Sequence, residues 1–334
     1  MTRTLDNPTL AYANLQPGHI LEALESLRFD CDGRFLALNS YENRVYRVGI
    51  ENDRPIVVKF YRPSRWSDDE ILEEHGFAAE LAAAELPVVA PLAIEGTTLH
   101  HAGPFRLAVY PCHGGRAPDL DDLELSEQLG RLVARIHLVG ETSRFRHRPA
   151  IDVDSYGTSS RDFLLENDFI PHELHAAYES VVDLVLDQVD ACMDRAGDFI
   201  TTRIHADFHP GNVLVDAERL HIVDLDDART GPAAQDLWMF LSGDKEEQAP
   251  QLDAILSGYT EFRPFDAREL HLVEALRSLR ILHYAAWIAR RWDDPAFKIA
   301  FPWFNSHRYW EEHVLALREQ VALMQEAPLE WRAA

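Results

Sequence analysis

Apolar positions change period several times along this chain of 334 residues. After Pro17 and Gly18, the residues Ile20, Leu21, Leu24 and Leu27 recur at helical spacing. Segments 35–38 and 43–48 then read as short strands, and the β-branched run 55–61 (PIVVKFY) as a further one. Residues 68–85 predict a helix, with acidic side chains in its first turn and Pro87 just beyond its end. Two more strands are expected over 88–94 and 104–110. Pro111, Gly114, Gly115 and Pro118 mark a hinge. Beyond it the period is helical. Leu125, Leu129, Leu132, Val133 and Ile136 share one face, and residues 174–192 form another. Short strands at 213–215 and 220–223 are followed by helical stretches near 233–241, 270–290 and 309–325. The pattern is that of an α+β chain, with a small β-rich lobe over residues 1–111 and a larger helical lobe over 112–334.

Composition narrows the function classes. Hydrophobic residues make up 46% and charged residues 26%, as in ordinary globular proteins. The 56 acidic side chains outweigh 32 basic ones, a formal charge of −24. Polyanion binding needs a basic stripe, so nucleic acid is not expected as a partner. The one dense basic stretch, 144–148 (RFRHR), reads as a solvated loop. Cys31, Cys112 and Cys192 lie far apart with no CxxC, which gives neither a disulfide framework nor a zinc site and fits a reducing cytosol. The first residues lack the apolar core of a signal peptide, and the run ILHYAAWIA is far short of the roughly 20 residues that span a bilayer. A cytoplasmic monomer with no membrane partner is expected.

The chemistry concentrates in residues 203–227 (RIHADFHPGNVLVDAERLHIVDLDD). Phosphoryl transfer needs a group that accepts or orients the attacking hydroxyl, and oxygen ligands for the Mg2+ that bridges the phosphates. Asp207, Asn212 and Asp224 supply these. Pro210 and Gly211 shape the loop between the first two. His209 could be read as a metal ligand, but Mg2+ prefers oxygen and a hydrogen-bonding role suits it better. Upstream, Lys59 interrupts an apolar strand. A buried ammonium is costly unless something requires its charge, and a nucleotide phosphate is a sufficient reason. On the next helix Ile71, Glu74, Ala78 and Leu81 share a face, so Glu74 sits on the apolar side and calls for a partner.

HADFHPGN followed by HIVDLDD resembles the catalytic and metal-binding segments of the aminoglycoside phosphotransferase and choline kinase group, which has a protein-kinase-like fold. LNSYENRVY, VVKFYRPSRW, ILEEH, DLDDARTGPAAQDLWM, SGDKEEQ and RRWDDPAF extend the likeness over nearly the whole chain to the bacterial stress response kinase A family. The resemblance implies a bilobal, ATP-dependent Ser/Thr protein kinase that also phosphorylates itself. It implies Asp207 as proton acceptor, with Asp224 beside it in the catalytic set. Asn212 and Asp224 become the Mg2+ ligands, and Lys59 with Glu74 the phosphate-anchoring ion pair. Ser40 becomes the phosphate-loop residue, Asp236 the brace of the catalytic loop, and 109–111, centred on Tyr110, the backbone that meets adenine.

Departures are visible too. No glycine-rich loop covers the phosphates. Alanine replaces the usual glycine at 206, a change of little effect unless that position needs a positive φ. Gln235 follows only eleven residues after Asp224, which leaves no room for a long activation loop. A small alcohol such as choline, homoserine or an amino sugar is the alternative acceptor. A pseudokinase is the non-enzyme alternative, disfavoured because Lys59, Asp207 and Asp224 are all retained. The acidic run at 119–124 reads as a solvated helix start or as a cation-binding rim. Together with the net charge it predicts acceptor peptides rich in Lys or Arg. The aromatic segments RRW (290–292) and FPWF (301–304) read as core packing in preference to a substrate wall.

Overall fold

The computed structural model describes Tyr12, residues 15–216 and residues 219–331. In chain order the described residues form α1 (Pro17–Ser26), β1 (Cys31–Ala37), β2 (Arg44–Ile50), β3 (Ile56–Phe60), α2 (Asp68–Ala83), β4 (His100–Ala102), β5 (Phe105–Pro111), α3 (Leu123–Glu141), α4 (Ser159–Glu166), α5 (His175–Ala196), β6 (Thr201–Ile204), β7 (Val213–Asp216), β8 (Arg219–Ile222), β9 (Arg229–Pro232), α6 (Lys245–Thr260), α7 (Val273–Ala289), α8 (Pro295–Ala300) and α9 (His307–Gln325). They group into two compact units. The first comprises Met1–Ala117, Gly211–Asp226 and Asp293–Ala300; the second Pro118–Pro210, Asp227–Trp292 and Phe301–Ala334. The expected mix is present: a small unit built on an antiparallel sheet and a larger helical one.

In the first unit the five-stranded sheet runs β1-β2-β3-β5-β4. Strand alternation decides what each face carries. Val48 and Ile50, then Ile56, Val58 and Phe60, then Phe105, Leu107 and Val109 form one buried face, which packs with Ile20, Ala23 and Leu24 of α1. The odd positions of β3 therefore face the other way. Register sets Lys59 between Val45 and Ala108, and Val57 beside Tyr110. This second face is covered where Ile71 of α2 packs with Tyr61, Leu99 and Ala108. Helix α2 starts at a capping box in which Ser67 and Glu70 satisfy each other's backbone amides, with Asp68 and Asp69 favourably placed against the dipole.

The β7–β8 hairpin joins this unit through backbone bonds. Ile222 N donates to Pro87 O at 2.8 Å and Val89 N to Ile222 O at 2.9 Å. The late segment that includes α8 is held by a buried ion pair. Arg62 Nη2 lies 2.8 Å from Asp294 Oδ2, and the same guanidinium sits 5.3 Å from the Phe297 ring centre.

In the second unit α3 and α6 approach backbone to backbone. A Cβ on Gly130 would collide with the Ile255 carbonyl oxygen, and one on Gly258 with that of Glu127. Gly130→Ala should therefore force the two helices apart and destabilise the protein by roughly 1–3 kcal/mol, the usual cost of overpacking. Chemical denaturation would measure it; an unchanged midpoint would mean the helices separate freely.

The sequence pattern misjudged several elements. Residues 88–94 make only isolated bridges, Val88 to Ile222 and Ile94 to Thr97. Pro87 and Pro91 remove the donors a ladder needs. The helix expected over 233–241 is a pair of 3-10 turns, Ala233–Asp236 and Trp238–Phe240. The buried side chains of Gln235 and Asp236 turn back to the preceding loop there, at the expense of a regular helix. Helix α6 hides behind a polar start and an internal Pro250, yet Asp244 caps it by accepting from Glu246 N and Glu247 N. Strand β4 has three residues only. No helix among the described residues is long and apolar enough to cross a membrane.

Candidate active site

Six of the predicted residues gather in the first unit around one cavity of about 300 Å³: Ser40, Lys59, Glu74, Tyr110, Asn212 and Asp224 all line it. Strand alternation puts Lys59 on the cavity face of β3. Its side chain is 7% exposed; Nζ lies 3.0 Å from Asp224 Oδ1 and 2.9 Å from Asp226 Oδ1. Burial alone would favour the neutral amine. The carboxylates of Asp224, Asp226 and Glu74 reverse that and raise the pKa well above the ordinary lysine value. Lys59 is therefore a fixed cation on the cavity wall. Asp226, which sequence reasoning passed over, is also paired with Arg65.

Tyr110 is positioned through its hydroxyl, which meets Tyr61 Oη at 3.0 Å. Tyr61 continues to His75 Nε2 at 2.7 Å, and His75 Nδ1 to Thr98 Oγ1 at 2.8 Å. Of the expected hinge backbone, the Val109 carbonyl already accepts from Leu92 N at 2.7 Å. Ser40 sits in the β1–β2 loop. That loop lacks glycine and is tied down by side chains: Asn43 Oδ1 accepts from Arg62 N at 3.0 Å, and buried Glu42 lies 2.9 Å from Arg62 Nε. The anchors Glu42, Asn43, Arg62 and Arg65 were legible only as part of the quoted segments, without a role.

Asn212 and Asp224 are brought side by side by the β7–β8 hairpin, because Val223 N donates to Asn212 O at 3.0 Å. Asp224 adopts φ +61° and its side chain is 51% exposed. Among the described residues no group of three His, Cys, Asp or Glu side chains could hold a metal. One carboxylate and one amide oxygen fit Mg2+, which takes few protein ligands and completes its shell from phosphates and water.

Asp207 belongs to the second unit. The loop that carries it follows β6 and is pinned by buried rings: His205 packs on Phe208 at 5.1 Å, and Phe208 on Phe240 at 5.0 Å. Asp236 is fully buried and accepts from His205 N and Ala206 N, each at 2.8 Å, and contacts His137 Nε2 at 3.2 Å. Gln235 Nε2 donates to Ala206 O at 2.8 Å. These bonds hold Ala206 at φ +68°. The position does need a positive φ, so alanine there carries a strain of about 1–2 kcal/mol that glycine would not. Asp236→Ala would orphan two buried amides and should cost roughly 2–6 kcal/mol of stability. Thermal unfolding, with circular dichroism to follow it, checks this; a loss under 1 kcal/mol would remove Asp236 as the brace.

The Asp207 carboxylate itself meets Arg280 Nη1 at 2.7 Å and His209 Nε2 at 3.5 Å. Burial pushes its pKa up, but the His209 hydrogen bond and the Arg280 charge outweigh that, and the net direction is down. The group is an ionised carboxylate at neutral pH. His209 thus hydrogen-bonds Asp207, as its chemistry suggested. Arg280 was not foreseen: nothing in the period of α7 marks it. The acidic run at 119–124 resolves as a helix start, since Asp122 Oδ1 caps α3 by accepting from Leu125 N at 3.1 Å.

Comparison with known proteins places this geometry. Residues 34–273 match the model of the phosphotransferase enzyme family. Stress response kinase A of Escherichia coli (strain K12) is 43% identical over 326 residues, 98% of each chain. A protein named serine/threonine protein kinase RdoA, from Salmonella typhimurium (strain LT2), is 42% identical over the same share. Among solved structures, an amicoumacin kinase in complex with AMP-PNP and Ca2+ superposes with a TM-score of 0.69 at 17% identity, covering 93% of this chain and 94% of that one. The chain belongs to the phosphotransferase enzyme family and, within it, to the stress response kinase A family.

Proposed function

We propose that this phosphotransferase moves the γ-phosphate of ATP to Ser and Thr hydroxyls of proteins, itself included, as a cytoplasmic monomer acting in a stress response. The observation that carries the reading is the cavity in which Lys59, Asn212 and Asp224 converge with Ser40, Glu74 and Tyr110. In this reading Lys59, steadied by Glu74, receives the phosphates, Ser40 and its side-chain-anchored loop lie over them, and Tyr110 borders the base. Asn212 and Asp224 would hold Mg2+, whose chemistry is to neutralise charge on the phosphates. Asp207, kept ionised, accepts a hydrogen bond from the acceptor hydroxyl and takes its proton. The new bond joins that oxygen to the γ-phosphorus, the bond to the β,γ-bridging oxygen breaks, and ADP leaves. The protein acceptor is supported by the name of the relative that is 42% identical over nearly the whole chain.

A small-alcohol acceptor is the second reading. It is favoured by the short connection after Asp224, where β9 and a 3-10 turn occupy the residues up to Asp236 and leave no long segment to seat a polypeptide. Incubation with labelled ATP and a panel decides between them: the protein itself, generic basic and acidic proteins, a cell lysate, choline and homoserine. A small alcohol turned over a thousandfold better than any polypeptide would overturn the protein-kinase reading.

A further inference from the structure

Helix α7 passes Asp207 and offers one accessible face. Positions 277, 280, 284 and 287 follow one another at spacings of three and four, so they form a single stripe. They are Arg277, Arg280, Tyr284 and Trp287, none of them buried, on a helix whose other positions are mostly closed off, and Arg291 follows in the turn just past the helix end, also not buried. Arg280 starts the stripe at Asp207 Oδ1, 2.7 Å away, with 36% of its side chain exposed. Its guanidinium has five donors, so the pair to Asp207 leaves others open to a second carboxylate. Arg277 lies over the Trp238 ring at 4.8 Å. Tyr284 and Trp287 stack at 5.6 Å, and Arg291 sits 5.2 Å from the Trp287 ring centre. Tyr284 is 40% exposed. Residues 275–292 contain four arginines and no Asp or Glu, in a chain with 56 acidic and 32 basic side chains; at the start of the stripe Arg277 is paired with Glu274 at 3.2 Å. The negative net charge is thus a poor guide to the stripe from Arg280 to Arg291, where arginines flank the aromatic rings.

We infer that this face of α7 binds an acidic polypeptide segment that carries the acceptor Ser or Thr, with Arg280 nearest the hydroxyl and Tyr284, Trp287 and Arg291 further along. The inference rests on the protein-acceptor reading and names its substrate class. It reverses the expectation of Lys- and Arg-rich acceptors drawn from net charge. Charge complementarity selects the occupant: guanidinium groups receive carboxylates in a bidentate fork, and the two rings add apolar contact.

The test uses one Ser-containing peptide in three versions, with Glu, Gln or Lys around the hydroxyl, and measures both kcat/KM and binding by anisotropy of the labelled peptide. The Glu version should exceed the Lys version by about tenfold or more, and its advantage should shrink as salt rises. Arg291→Glu should weaken binding of the Glu peptide about tenfold more than that of the Gln peptide, while ATP affinity stays unchanged. Arg291→Gln, which removes the guanidinium that donates to the Trp287 carbonyl at 3.0 Å without adding a negative charge, repeats the measurement should the glutamate variant fold poorly. Preference for the Lys peptide, or affinity for the Glu peptide that neither Arg291 variant changes, overturns the inference and leaves the protein-kinase reading standing. Turnover of choline or homoserine with no phosphorylation of any polypeptide overturns both.

Discussion

Asp207→Asn should leave the protein folded and ATP bound as before, and lower turnover by roughly 10²–10⁴-fold. Asparagine keeps the shape of the side chain, and its oxygen can still accept from Arg280, which meets the wild-type carboxylate at 2.7 Å. What disappears is the charge that, on the proposed function, receives the hydroxyl proton. The cavity with Lys59 and Asp224 does not include residue 207 among its lining, so ATP affinity should not follow the rate. The pH profile supplies a second readout. Asp207 has a lowered pKa because His209 and Arg280 outweigh the effect of burial. A lowered carboxylate stays ionised until the pH falls below the ordinary aspartate value of about 3.9. The wild-type rate should therefore show no Asp207 limb between about pH 6 and 8, and a step there would belong to another group. Circular dichroism, ATP titration and turnover are measured together. Wild-type turnover in a well-folded Asp207→Asn protein would strip the residue of its role.

Period and spacing made most of the scaffold legible, because one face of each long element is buried against a core. Helix α2 could be read with Glu74 on its apolar side, and β3 with Lys59 alternating away from Ile56, Val58 and Phe60. Elements that depend on distant partners were not legible. Residues 233–236 form a 3-10 turn because Gln235 and Asp236 must reach the loop at His205 and Ala206, some 30 positions away in sequence. The same limit hid the ion pairs. Asp226 sits between Lys59 and Arg65, and Arg62 between Glu42 and Asp294. No local pattern announces pairs that are made across more than a hundred residues, or those of a loop that buries its anchors. Ala206 shows the opposite case. The sequence posed the right question about φ, and only the backbone could answer it.

Asp224→Ala should abolish Mg2+-dependent turnover while changing ATP binding in opposite directions with and without the metal. Two carboxylates flank Lys59 at 3.0 and 2.9 Å, Asp224 half exposed and Asp226 buried. If Asp224 holds Mg2+ as proposed, its removal takes one oxygen ligand, so Mg·ATP should bind more weakly. It also removes a negative charge beside Lys59, the cation proposed to meet the phosphates. Like charges in a water-like medium repel by about 1 kcal/mol at 4 Å, so metal-free ATP should bind a few-fold more tightly. Calorimetric titration in Mg2+ and in chelator gives both signs from one variant. Equal Mg2+ dependence before and after the change would exclude Asp224 as a ligand. Asp226→Ala is the control that separates metal chemistry from scaffold. Its carboxylate is 4% exposed and bridges Lys59 and Arg65. Its loss takes the nearer carboxylate from Lys59 and Arg65, which keep Asp224 at 3.0 Å and Glu42 at 3.7 Å, and should cost about 1–3 kcal/mol of stability, read by denaturant unfolding. Asp224→Ala, taken from a half-exposed side chain, should leave that unfolding midpoint nearly where it was. If instead both variants unfold alike, Asp224 shares the scaffold role of Asp226, and only the Mg2+ dependence speaks for it as a ligand.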